Sequence, residues 1–319
     1  MFRFPRICLL LAIFFANPSA GQGDKTLRIQ VPFAPGGGTD ILTRILAPRI
    51  AERLGQPVIV ENRPGAGGAV AARYTAAAAA DGQTVMMGTI SEIAINPNMN
   101  PKIGYDIWRD FAIVGPVAYT PMTVVVHPAV PAKSVRELIA LANARPGALN
   151  YGSAGTGSGA HMGAELFRYL TKANITHVPY KGVGPAVADT AAGHVHMTFT
   201  TLPSVVSFVR NGQLRSLAVA SERRAPQLPE VPTFIEGGVP EYVMDYWYCL
   251  VAPAATPREA QSRLNGALRD TLALPEIVAS LDKSGLIVLS LGAEAFTAFV
   301  RKENERWAAV VKAAGIKAE

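Results

Sequence analysis

Apolar and polar residues alternate over residues 27–33, the period of a half-buried strand. The chain then reads Ala34-Pro35-Gly36-Gly37-Gly38, and beyond Thr39-Asp40 the apolar residues Ile41, Leu42, Ile45, Leu46, Ile50 and Leu54 recur at helical spacing. This pattern predicts a strand, a glycine loop and a helix capped by Thr39 or Asp40. Pro48 should bend that helix by removing one ladder hydrogen bond. Such a loop offers backbone N–H groups and the positive end of a helix dipole, a site for a small anion. The same pattern returns at Leu149-Asn150-Tyr151, the loop from Gly152 to Ala160, and a helical run of His161, Met162, Ala164, Leu166, Phe167 and Leu170. Two such loops predict two domains facing a shared ligand. Two ordinary crossovers with flexible loops would share the same spacing.

Between and after these loops the pattern predicts strands at residues 57–62, 84–88, 111–117, 122–127, 175–180, 195–199, 216–220 and 245–251. Helices are expected at 69–80, 185–192, 258–272, 275–284 and 293–314. Ser134 with Glu137 resembles a capping box opening another helix to Ala144. Alternating strands and helices mean an α/β fold with largely parallel sheets. The C-terminal helices should pack back on the first domain and make it discontinuous. Ser91 and Glu92 follow a strand end, where ligand-facing loops lie in open α/β sheets.

Composition and charge narrow the function. Of 319 residues, 49% are hydrophobic, enough for a sizeable core, and the net charge is +6. That modest excess forms no basic run, so nucleic acid is not an expected partner. Arg3 and Arg6 followed by an apolar stretch at 7–16 and small residues Ser19, Ala20 and Gly21 read as a signal peptide over residues 1–21. Cleavage near Ala20-Gly21 would leave an exported, soluble chain, two charges less positive, with Cys249 as its one cysteine. The apolar stretch is too short to span a bilayer. Cys8 lies inside it, so lipoprotein processing is not supported.

Several longer stretches carry a resemblance. They are residues 31–40 (Val-Pro-Phe-Ala-Pro-Gly-Gly-Gly-Thr-Asp), 60–68, Gly152 to His161, 177–182, Pro232-Thr233 with Glu236-Gly237-Gly238, and Trp247 with Ala252-Pro253. In this order the chain resembles the periplasmic solute-binding receptors of tripartite tricarboxylate transporters, the Bug family. The resemblance implies a two-domain periplasmic binding protein, type II-like, with the ligand cleft between domains. The domains would be 25–121 plus 247–319, and 122–246. It implies a monomer that captures a small carboxylate and passes it to membrane permease subunits, without a cofactor. The ligand carboxyl would be held, through backbone amides and ordered waters, by Phe33, Ala34, Pro35, Gly36, Gly37, Gly38, Thr39 and Asp40 on one side. Ser153, Ala154, Gly155, Thr156, Gly157 and Ser158 would hold it on the other. Ser91, His161 and Thr200 are further candidates. The chain departs from the family at His196, usually acidic, at Thr200, often Asp or Asn, and at Cys249, usually small.

Sharper motifs fit the chain less well. Gly155-Thr156-Gly157-Ser158-Gly159-Ala160 matches a dinucleotide fingerprint, but the next strand ends Pro179-Tyr180-Lys181, with no acid for a ribose. His194 and His196 have no third metal ligand nearby. Ser153 and Ser158 are not in a nucleophile-elbow pattern. The expectation is a non-enzymatic receptor. A ligand-sensing receptor for a signalling partner, or a secreted hydrolase using the Ser153–Ser158 loop, are the alternatives.

Overall fold

The computed structural model describes residues 26–316, so the expected signal segment lies outside the described residues. The chain opens with β1 (Leu27–Val31), α1 (Gly38–Leu54), β2 (Val58–Asn62), α2 (Ala69–Ala76) and β3 (Thr84–Thr89). A buried π turn at Ser91–Ile95 leads to the short helices α3 (Asn96–Met99) and α4 (Ile107–Asp110). Next come β4 (Phe111–Val126), α5 (Val135–Ala144), β5 (Leu149–Ser153), α6 (Gly159–Thr171), β6 (Ile175–Pro179) and α7 (Val183–Ala191). Then follow β7 (Met197–Thr201), α8 (Leu202–Arg210), β8 (Arg215–Val219) and β9 (Asp245–Pro253). The chain closes with α9 (Arg258–Leu272), α10 (Pro275–Lys283), β10 (Ile287–Val288) and α11 (Ala293–Ala314).

The strands run in the order β2-β1-β3-β9-β4-β7-β5-β6, with β8 and β10 attached to β4. β1 pairs in parallel with β2 and β3, and β5 with β6 and β7. The centre is antiparallel: β9 enters between β3 and β4, and β4 pairs antiparallel with β7 and β8. The expectation of largely parallel sheets therefore holds only for the outer strands. β9 comes from late in the chain and is not joined to its neighbours by a crossover helix, so nothing forces it parallel.

The two strands expected at 111–117 and 122–127 are one strand of 16 residues. It runs through both Pro116 and Pro121. The ladder to β9 shifts register between Ile113 and Gly115 and again between Pro116 and Ala118, and such irregularities let a strand carry a residue without an N–H. From Phe111 to Pro121 this strand pairs with β9, and from Met122 to Val126 with β7 and β8. It thus passes from one half of the sheet into the other. One buried apolar cluster follows it, from Leu27, Leu42 and Val85 through Met122 and Trp247 to Tyr151, Phe167 and Phe199.

α1 continues through Pro48 as a single helix. α5 begins as expected: Ser134 Oγ accepts from the Glu137 amide at 3.2 Å, while Glu137 Oε2 accepts from the amide of Lys133 at 2.7 Å. α8 was not foreseen. It is short, and Val205, Val206 and Val209 favour strand locally, but Pro203 opens it and Leu202, Val205 and Val206 are buried. No described helix is long and apolar enough to cross a membrane.

Candidate ligand-binding site

The first glycine loop ends at Gly37, the N-cap of α1, and no side chain caps the helix. Thr39 and Asp40 lie inside the first turn, not at the cap. Asp40 reaches back instead: its Oδ2 accepts from the Gly36 amide at 3.1 Å, and its Oδ1 accepts from Arg44 at 2.9 Å and Asn62 at 2.9 Å. Burial alone would raise the Asp40 pKa, but these bonds outweigh it and hold the carboxyl below its usual range. The carboxylate therefore braces the loop from behind. Among the described residues, nothing accepts from the amides of Gly37, Gly38, Thr39 and Asp40, all in buried residues. This helix end has its full set of donors free.

The second loop is different. Ser158 caps α6 by accepting from the His161 amide at 3.2 Å. The Gly155 amide donates to Ser153 Oγ (3.0 Å), that of Gly157 to His161 Nδ1 (3.4 Å), that of Ser158 to Gly155 O (3.0 Å) and that of Gly159 to Ser91 Oγ (2.9 Å). The amides of Ala154, Thr156 and Ala160 are left. The sequence expectation of bare N–H groups fits the first loop. It fails for most of the second, because serine and histidine side chains and the loop's own carbonyls occupy them.

Both helix starts rest on neighbouring tyrosines of β9. A Cβ on Gly38 would lie 2.5 Å from Thr201 Oγ1 and 2.8 Å from Tyr248 Oη, and one on Gly159 would overlap the Tyr246 ring. Those two rings have centroids 5.2 Å apart. Between them lies a cavity lined by Phe33, Gly37, Gly38, Thr39, Ala154, Ser158 and Thr200, with Met122, Ala160, Val183, Thr201, Tyr246 and Tyr248. The space open to water centres is about 20 Å³, room for one or two waters. Thr200 Oγ1 and Tyr248 Oη are buried in its wall with no hydrogen-bond partner. Unsatisfied hydroxyls of this kind are costly, and that of Tyr248 sits beside Gly38 at the start of α1.

The remaining candidates lie elsewhere. Ala34 donates its amide to Lys181 O at 3.1 Å, and Pro35 and Gly36 pack on Gly184, so this stretch bridges to the opposite loop. Gly155 and Thr156 line a separate, open groove with Ala66, Gly67 and Lys181. Gly157 packs against Asn96, whose Nδ2 donates to Gly67 O at 2.8 Å. Ser153 is fully buried, with its Oγ 2.6 Å from His177 Nε2. The His161 ring packs tilted against that of His177 with centroids 4.4 Å apart; burial, then the neighbouring His177, pushes its pKa down to about 4. His194 and His196 have separate partners, Asp189 (3.4 Å) and Asn150 (2.8 Å).

Ser91 is not a loop residue open to ligand but part of a buried chain of donors. The Gly159 amide donates to Ser91 Oγ at 2.9 Å, Ser91 Oγ meets Tyr246 Oη at 3.0 Å, Tyr246 Oη donates to Thr89 Oγ1 at 2.9 Å, and Thr89 Oγ1 donates to Glu92 Oε2 at 2.8 Å. Since the Tyr246 proton goes to Thr89, Ser91 must donate to Tyr246. Every proton points toward Glu92. Burial pushes that carboxyl up to about 8, against the Thr89 hydroxyl and amide that favour its ionised form.

The sequence reading missed Met122, Ala160, Val183, Thr201, Tyr246 and Tyr248 as wall residues. One signal was available. Within the strand reading of Asp245-Tyr246-Trp247-Tyr248, period two puts both tyrosines on one face and Trp247 on the other.

Comparison with known proteins accords with this geometry. The family model described as the tripartite tricarboxylate transporter family receptor matches residues 42–316. Protein BugT of Bordetella pertussis is 36% identical over 294 residues, 92% of this chain and 90% of that protein. A structure of an R. palustris protein with adipate superposes with a TM-score of 0.88 at 37% identity, covering 92% of this chain and 98% of the other. MatC from Rhodopseudomonas palustris with bound malate gives 0.87 at 31%, covering 90% and 98%. The chain belongs to the tripartite tricarboxylate transporter family of receptors.

Proposed function

We propose that this receptor captures a small organic acid between its two glycine loops, which part wider than the space of about 20 Å³ left between them here, and hands it, as a periplasmic monomer, to the membrane permease subunits of a tripartite transporter. The observation that carries the reading is the convergence of the α1 and α6 N-termini on Tyr246 and Tyr248, with the α1 amides unpaired. Each helix end favours a nearby negative charge by about 0.3–1 kcal/mol, and more when partly buried. Charge-assisted hydrogen bonds add roughly 1.5–3 kcal/mol each. A few of them suffice for micromolar binding without a cationic side chain. The adipate and malate held by the two related structures are acids of the kind such a site would take.

The ligand contacts in this reading come from Phe33, Gly37, Gly38, Thr39, Ala154, Ser158 and Thr200. Asp40, Ser91, Ser153, Gly157 and His161 hold the loops, and Gly155 and Thr156 line the separate outer groove. The two lobes are 25–121 plus 247–319, and 122–246. Their support is the change of partners along β4 at Pro121–Met122. Export with cleavage near Ala20-Gly21 rests on the charged and apolar pattern of residues 3–16. The protein binds without turnover: Ser153 has a histidine partner, but its hydroxyl is fully buried and does not line the cavity.

A thermal-shift screen over mono-, di- and tricarboxylates and aromatic acids tests the proposal. At about a hundred times its dissociation constant a ligand stabilises by roughly 2.7 kcal/mol, so one class should raise Tm clearly. No shift with any acid, or sustained conversion of a bound acid that is lost in Ser153→Ala, would refute it.

A further inference from the structure

Glu92 does not line the cavity, yet both of its oxygens lead to the seam between the two lobes. Gly68 packs on Oε1 so closely that a Cβ there would overlap the carboxyl. Its neighbour Gly67 packs in turn on Thr156 O and on the peptide between Gly157 and Ser158. Asn96 Nδ2 donates to Gly67 O at 2.8 Å, and the same side chain packs on Gly157. Oε2 accepts from the Thr89 amide at 2.9 Å and from its hydroxyl at 2.8 Å. From there Tyr246 and Ser91 continue to the Gly159 amide at the start of α6. In the two-lobe division proposed above, Gly67 and Ser91 belong to the first lobe, and Thr156, Gly157 and Gly159 to the second. Glu92, fully buried, is therefore covered along both routes by contacts between lobes.

We infer that capture of an acid is coupled to a proton: closing the lobes over the ligand puts a proton on Glu92, and opening them releases it. The inference rests on the carboxylate reading above and deepens it. Parting the lobes breaks the Gly159–Ser91 bond and uncovers Gly67 and Gly68. Water then reaches the carboxyl and favours its ionised form. Closing removes that water. Oε1 is left without a partner, and among the described residues no Lys, Arg or His stands against the carboxyl. An unpaired neutral O–H is costly in such a place, but an unpaired charge costs far more. The other titratable groups facing Glu92 are Tyr105, and Tyr246 and Cys249 of β9. Burial first, and then Glu92 itself, drives each of them toward its neutral form. Arg73 of α2 acts on Tyr105 and donates to Ile103 O at 3.0 Å, not to Glu92. Tyr246 also lines the cavity. A bound anion and an ionised Glu92 would thus face each other across Tyr246 and Thr89, and like charges disfavour each other. In the closed form burial holds the carboxyl up at about 8. Affinity for an acid is therefore highest at low pH and declines as pH rises toward that value, by at most about tenfold per unit.

The test is calorimetry of adipate binding near neutral pH in phosphate and in Tris, two buffers whose different heats of ionisation reveal protons exchanged on binding. The acid with the largest Tm rise in the thermal-shift screen replaces adipate if adipate does not bind. The wild type should take up about 0.3 to 1 proton per acid bound, and Glu92→Gln none. Wild-type affinity should fall at least about threefold from roughly pH 6.5 to pH 8.5, while that of Glu92→Gln stays level. A further readout needs no variant: infrared difference spectra of the wild type, bound minus free, should gain a carboxylic-acid band. No proton uptake, no gained band, or an uptake that persists in Glu92→Gln overturns the inference and leaves the carboxylate reading standing. Binding of no acid in the screen removes the carboxylate reading and this inference with it.

Discussion

Tyr248 makes the sharpest claim at the scale of single residues. Its hydroxyl is buried, lies beside Thr201 without a well-formed hydrogen bond, and faces the start of α1. In the fold alone it is a cost; toward a carboxylate it is a donor. Tyr248→Phe should leave Tm unchanged or raise it slightly, since an unsatisfied polar group is removed. The same change should weaken acid binding roughly ten- to hundredfold, the value of one hydrogen bond to a charged group. A drop in Tm with unchanged affinity would make the hydroxyl structural. The glycines were legible from sequence for a related reason. Gly38 and Gly159 tolerate no Cβ because Thr201, Tyr248 and Tyr246 press on them. The tyrosines themselves were hidden: an aromatic residue in a strand reads first as core, and only the loops arriving from distant parts of the chain give it a face toward ligand.

At the scale of elements, the buried turn Ser91–Ile95 holds the two halves in register. Its Ser91 ties the α6 terminus to Tyr246, and its Glu92 ends the donor chain. Glu92 is fully buried, one of its oxygens has no partner, and the titratable groups around it, Tyr105, Tyr246 and Cys249, are all pushed toward their neutral forms. Its carboxyl is raised from 4.5 unfolded to about 8 folded. Across that window the folded chain holds a proton that the unfolded chain has released. Stability from this group is thus complete below the unfolded value and declines as pH rises toward the folded one, by at most about 1.4 kcal/mol per pH unit. Glu92→Gln, which keeps an oxygen to accept from Thr89, should remove that decline. Chemical denaturation at several pH values checks this: the stability difference between variant and wild type should grow with pH up to about 8 and then level off. A difference independent of pH would mean that Glu92 is ionised in the fold throughout. None of this was visible in the sequence, where Glu92 follows a strand end and looks like a cleft residue. Only burial shows that it lies behind the site.

At the scale of the whole molecule, the amphipathic periods gave most elements within a few residues, including α9 and α11. The two strand-glycine-helix units gave the two helix termini that matter most. The continuity of β4 and the antiparallel entry of β9 were not legible, because the local pattern shows two separate strand-like runs and pairing partners are chosen by tertiary packing. The site inherits this division. Its loops are local patterns, whereas its floor is made by strands that meet only in the folded chain. What the assembled molecule brings together around one cavity is the unpaired start of α1, the buried hydroxyls of Thr200 and Tyr248 and the start of α6. Its central requirement is a ligand charge. The most direct measurement is calorimetry of the best-binding acid against its primary amide, which keeps shape and removes the charge. The amide should bind at least a hundredfold more weakly, as loss of charge-assisted bonds from several donors demands. Equal affinities for acid and amide would contradict the account, because the two helix termini would then not be reading an anion.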